Sequence, residues 1–144
     1  MSYQTSLLTL ALFAFSLCSA LVSAESRPCS DSQQISIHCG EAPSAWQTND
    51  GQLWVVFVQN QLAWLTTSND SGNSFSTPVQ INTSPEAIEV NGENRPKIIV
   101  DRRAGQADAV YVSWTQKTEG MHTGDIRFTR STDGGQNFES VRTV

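Results

Sequence analysis

The sequence has no cluster of Lys or Arg: nine basic residues are scattered among fourteen acidic ones, for a net charge of −5. Without a basic stripe there is no electrostatic footprint for nucleic acid or for anionic lipid, so neither is an expected partner. Histidine and cysteine are scarce too. His38, His122 and three Cys stand at no spacing that supplies a metal with its ligands, so no metal and no cofactor is expected. Beyond residue 24 no window keeps a helical period, which argues against helical and α/β folds. The same stretch holds one Tyr, Tyr111.

What the first residues do contain is apolar. From Leu7 to Val22 the chain is almost entirely apolar or small, and no charged side chain precedes Glu25. Val22-Ser23-Ala24 is a small-residue pattern of the kind a signal peptidase cuts, so 1–24 reads as a signal peptide and the protein as exported, to the periplasm or the medium. A membrane anchor is the alternative, but the run falls short of the ~20 residues a spanning helix needs. Cleavage removes Cys18 and leaves Cys29 and Cys39, which an oxidising compartment would join as a disulfide.

The rest of the chain repeats itself. Pro43, Phe57 and Asp70 in one segment match Pro96, Trp114 and Asp133 in a second, and the offset grows from pair to pair. Growing offsets between matching elements mean longer loops on either side of the strand Val110-Tyr111-Val112-Ser113-Trp114. Each copy reads as four short strands rich in Val, Ile, Trp, Phe and Thr, bounded by Gly, Asn, Asp and Pro. Four antiparallel strands repeated every ~40–50 residues predict all-β blades of a propeller. The expected division is a signal peptide over 1–24, an N-terminal segment with a disulfide over 25–40, a first blade over 41–81, an inter-blade loop over 82–94 and a second blade over 95–144. Rings normally close with four to eight blades. The expectation is therefore either the first part of a longer product or short chains assembling, three to a six-bladed ring. Ile35-Ser36-Ile37 reads as a strand available to complete a last blade.

One local pattern occurs at the same place in both copies. Ser68, Asp70, Gly72 and Phe75 are followed by Ser131, Asp133, Gly135 and Phe138, each set spelling Ser-x-Asp-x-Gly-x-x-Phe. A tight hairpin between third and fourth strands needs an Asp carboxylate to accept from nearby N–H groups and a Ser hydroxyl to add a local bond. It also needs a Gly where other residues are strained, and an aromatic to pack back on the sheet. Both aspartates are therefore expected to be structural rather than catalytic.

These residues match the Asp-box, or bacterial neuraminidase (BNR) repeat, and from about residue 39 to 144 the chain resembles the sialidase-like superfamily of Asp-box propellers. The resemblance implies a six-bladed exo-glycosidase fold in which three arginines hold a carboxylate, with a Tyr–Glu nucleophile pair and an Asp acid/base. Little of that set transfers. Asn94-Arg95-Pro96 is the nearest match to the first family arginine, lacks the intervening Ile, and follows an Asp box. Tyr111 sits in an alternating strand where packing is the expected role, and packing is likewise expected of Trp54 and Trp64.

The expected function is accordingly an exported Asp-box propeller that binds glycan or protein and holds no complete catalytic set. The alternative is the N-terminal part of an exo-α-sialidase, a glycoside hydrolase whose catalytic residues lie on further blades. Candidate ligand-binding residues are Arg95 and Glu93 on the loop over 82–94, and Glu119 and His122 on the loop over 116–124. Long loops on rigid scaffolds tend to carry function. A plain solvated acidic loop, with Arg95 paired to Glu93 or Asp125, is the competing expectation.

Overall fold

The computed structural model describes residues 29, 34–120 and 123–144. The expected signal peptide over 1–24 and the candidate His122 lie outside them. Apart from one short 3-10 turn, the regular structure is strand. Strands β1 (Glu41–Gln47), β2 (Leu53–Gln59), β3 (Leu62–Ser68) and β4 (Val79–Gln80) form one antiparallel sheet in the order β1-β2-β3-β4. Strands β5 (Lys97–Asp101), β6 (Ala109–Lys117), β7 (Gly124–Ser131) and β8 (Arg142–Thr143) form a second sheet of the same order.

The two sheets agree pair by pair. Ser44 faces Val56 and Trp46 faces Trp54; at the matching places Lys97 faces Ser113 and Ile99 faces Tyr111. Leu53 faces Ser68 as Val110 faces Ser131, and Leu65 faces Val79 as Phe128 faces Arg142. Side-chain bonds repeat as well. The Thr66 hydroxyl donates to the Ser76 carbonyl at 2.7 Å, and the Thr129 hydroxyl donates to the Glu139 carbonyl at 2.7 Å. The longer second copy arises where expected, because the two-residue turn at Asn60 and Gln61 corresponds to the whole connection between β6 and β7.

Successive strand residues point to opposite faces, so each sheet has a front and a back. The front of the second sheet carries Val110, Val112 and Trp114, all buried, against the back of the first, which carries Trp54, Val56, Ala63 and Leu65. Val110 and Val112 are register equivalents of Leu53 and Val55, so the sheets stack front to back in one sense rather than face to face by symmetry. Val58, Val100 and isoleucines 81, 88 and 98 complete this core.

The front of the first sheet has a different cover. Residues 34–40 run across it, and Gly40 lies so close to the Phe57 ring that a side chain there would collide with it. The Gln59 carboxamide accepts from Ser36 N–H at 3.1 Å and donates to the Gln34 carbonyl at 3.0 Å. A disulfide joins Cys39 to Cys29. The strand expected at Ile35-Ser36-Ile37 is absent. Ile37–Cys39 is a 3-10 turn, because the Ser36 hydroxyl accepts from His38 N–H and bends the chain back on itself. Among the described residues no helix is long and apolar enough to cross a membrane.

Candidate functional site

The two Ser-Asp-Gly turns join β3 to β4 and β7 to β8. In the first, the Ser68 hydroxyl donates to Asp70 Oδ1 at 2.7 Å and accepts from Gly72 N–H at 2.8 Å. In the second, the Ser131 hydroxyl donates to Asp133 Oδ1 at 2.7 Å and accepts from Gly135 N–H at 2.9 Å. Asp70 Oδ1 also accepts from Ser74 N–H, and Asp133 Oδ1 from the N–H groups of Gln136 and Asn137. The carboxylates are thereby used up as turn acceptors. Bonds from Ser74 to Asp70, and from Ser131 and Asn137 to Asp133, hold both at about 2. Neither retains a proton to donate near neutrality, so acid catalysis is not available to them.

The opposite end of the sheets carries the long connections. Here the β2–β3 turn, the segment 82–96 and the β6–β7 connection come together. The segment 82–96 is tied down at several points. Glu86 N–H donates to the Gln61 carbonyl, Glu89 N–H to the Thr115 carbonyl, and Lys117 N–H to the Ala87 carbonyl. The Asn82 side chain, almost fully buried, accepts from Ala63 N–H at 2.7 Å and donates to the Ser84 carbonyl.

Between these parts and the disulfide lies an open cleft of about 480 Å³, lined by Glu41, Val58, Gln61, Ile88, Val90 and Lys117 among others. At its rim the Lys117 ammonium lies 3.5 Å from the Glu89 carboxylate. Among the described lining residues there is a single carboxylate, Glu41, and no arginine. Glycosidase chemistry needs two carboxyl groups flanking the scissile bond, or their equivalent. One acid, one ammonium, polar amides and a short apolar floor can instead hold a ligand by hydrogen bonds and contact.

Of the residues expected to bind ligand, Arg95, Glu93 and Glu119 are among the described residues and all three are exposed. Arg95 is exposed and its Nε donates to the Gly92 carbonyl at 2.9 Å; no carboxylate among the described residues pairs with it, neither Glu93 nor Asp125. Glu93 is exposed too, and its N–H, like that of Asn94, donates to the Asn91 side chain in a local turn. Glu119 is exposed on the β6–β7 connection. None of the three lines the cleft.

Glu86 is the loop residue whose importance the sequence conceals. Its carboxylate accepts from the Trp114 indole N–H at 3.0 Å and from Arg127 at 3.2 and 3.3 Å, with side-chain exposures of 11% for Glu86 and 21% for Arg127. This half-buried fork ties the connection to the second sheet, and its charges are matched and unavailable for a ligand. Its members are 28 and 41 positions apart along the chain, so no local motif announces it. Among the described residues no three His, Cys, Asp or Glu side chains are grouped so as to hold a metal.

No protein-family model matches this chain, and no curated protein sequence is significantly similar to it.

Proposed function

We propose that the chain is a sialidase-like Asp-box propeller module, exported, that binds a glycan or a protein through the loop end of its sheets and performs no catalysis with its own residues. The observation that carries this reading is the pair of Ser-Asp-Gly turns. They make matching hydrogen bonds at matching register in two sheets stacked front to back. Front-to-back stacking in one sense is the arrangement that repeated blades need, since each must offer its neighbour the surface its predecessor offered it. The cleft beside Lys117 supports binding.

The test pairs a fluorogenic α-sialoside assay with binding to an immobilised glycan array. The expected result is no turnover above buffer, with glycan binding that Lys117→Glu weakens about tenfold. Hydrolysis of the sialoside would replace this reading with an exo-α-sialidase. Binding to neither glycan nor co-purified protein would remove the ligand-binding role.

A further inference from the structure

Three steps in the chain set an Asn or Asp before a Gly: Asp50-Gly51, Asn91-Gly92 and Asp133-Gly134. At such a step the Gly nitrogen can attack the side-chain carbonyl carbon, because Gly has no Cβ to hinder the approach or restrict the backbone. The structure disarms two of the three. Gly51 N–H donates to the Thr48 carbonyl at 2.9 Å, and Gly134 N–H to the Asp108 carbonyl at 3.0 Å. Bonds from Thr48 and Arg102 keep Asp50 ionised, as bonds from Ser131 and Asn137 keep Asp133 ionised. An ionised carboxylate is a poor electrophile.

Asn91-Gly92 is the opposite in each respect. Both residues are exposed, and Gly92 N–H donates to no group among the described residues. The electrophile is a neutral amide. Its oxygen already accepts from the N–H groups of Glu93 at 3.1 Å and Asn94 at 2.9 Å. Two donors aimed at the oxygen that gains charge on attack act as a small oxyanion hole. The amide nitrogen, which must leave, donates to Glu89 Oε2 at 3.1 Å. That same carboxylate oxygen lies 3.5 Å from the Lys117 ammonium at the rim of the cleft.

We propose that Asn91 is a self-modifying site, which converts to aspartate and isoaspartate through a cyclic imide and thereby resets the rim of the cleft. A bond forms between Gly92 N and Asn91 Cγ as the Cγ–Nδ2 bond breaks, and the Gly92 amide proton departs with that nitrogen as ammonia. Water then opens the imide at either carbonyl, so no oxidant or reductant takes part. Conversion to aspartate replaces the donor facing Glu89 with a carboxylate, and two like charges at that spacing repel. Isoaspartate also lengthens the main chain and displaces the oxygen that accepts from Glu93 and Asn94. Either product puts a further anion beside Glu89 and Lys117, which makes the rim less receptive to an acidic ligand group. The effect on the rim rests on the ligand-binding reading given above; the covalent step does not.

The test incubates the full chain in warm neutral buffer and maps its peptides by electron-transfer fragmentation, which separates isoaspartate from aspartate. Both products are expected at position 91, with Asn69, Asn73 and Asn137 intact. Gly92→Ala should slow conversion about tenfold, and the fold admits it, since nothing lies within 4 Å of where its Cβ would stand. An Asn91 that outlasts Asn69, Asn73 or Asn137 overturns the proposal, as does an unchanged rate in Gly92→Ala. Binding of a carboxylated glycan is read on the same samples. The aged chain and Asn91→Asp should each bind about threefold more weakly than the fresh chain, and aged Gly92→Ala should bind like the fresh chain. Undiminished binding by the converted chain overturns the effect on the rim. A fresh chain that binds no glycan strikes the function proposed above, while the peptide map still decides the covalent step.

Discussion

Strands β2 and β6 hold the same place in their sheets and have different surroundings. In β2 six consecutive residues, Trp54 to Gln59, are buried, because one face meets the second sheet and the other meets residues 34–40. In β6 burial alternates, with Val110, Val112 and Trp114 inside and Tyr111, Ser113 and Thr115 half-exposed. Composition follows suit: β2 is apolar from Leu53 to Val58 and β6 alternates. A strand covered twice needs apolar residues at every position, and a strand covered once needs them at every second one. The two sheets share a register and a turn chemistry, so what distinguishes them is the number of faces covered.

The largest test of that difference is a pair of truncations at equivalent positions. Leu65→Ala removes a side chain only 2% exposed from the shared core and should cost about 2–5 kcal/mol in urea unfolding. Phe128→Ala, its equivalent, removes a half-exposed ring that stacks on Tyr111 and lies 4.8 Å under the Arg142 guanidinium. About 1 kcal/mol is expected there. Equal losses would mean that the second sheet's back is as well covered in solution as the first's.

Next come the paired glycines. Gly72 and Gly135 both adopt left-handed backbone, with φ of +88° and +80°, so either change to Ala should cost about 1–2 kcal/mol. At Gly135 the added methyl would also stand 2.5 Å from a Leu65 methyl of the neighbouring sheet, while at Gly72 nothing comes closer than 3.8 Å. Gly135→Ala should therefore be worse by about 1–3 kcal/mol. A thermal-unfolding series with no gap between the two would contradict the front-to-back contact at that turn.

Where the two sheets are alike, the effects should match. Ser68→Ala and Ser131→Ala each delete one donor to Asp and one acceptor for a Gly N–H, and should each cost about 1–2 kcal/mol. A clear inequality would break the equivalence of the turns. The smallest effect is the pH response. Both aspartates are depressed to about 2 in the folded chain against about 3.9 unfolded, so the folded state binds these protons less readily. Their contribution is complete above about pH 4 and is lost as pH falls through about 2. Asp70→Asn and Asp133→Asn should each flatten this acid limb in equilibrium unfolding and leave the alkaline side unchanged.

Much of the fold was legible because it is written locally. The Ser-Asp-Gly turns satisfy themselves within a few residues, and the repeated offsets located the loop insertions on both sides of β6. Residues 34–40 misled because Ile35-Ser36-Ile37 alternates like a strand, while the Ser36 hydroxyl and the partners on Gln59 favour a turn. The candidate site was legible only as a region. Arg95, Glu93 and Glu119 do lie on the long connections, yet local turns hold the first two and none of the three lines the cleft. The groups that meet there, Glu86 with Arg127 and Trp114, or Lys117 with Glu89, come from separate elements.

The sequence by itself determined the strands, their order within each sheet and the chemistry of the turns, since these depend on alternation and on bonds spanning two to four residues. Tertiary structure alone decided which face of each sheet is covered, by what, and which charges are spent on one another. Burial and ion pairing are properties of surfaces brought together from distant positions, and an amphipathic strand carries no mark of what will lie against it.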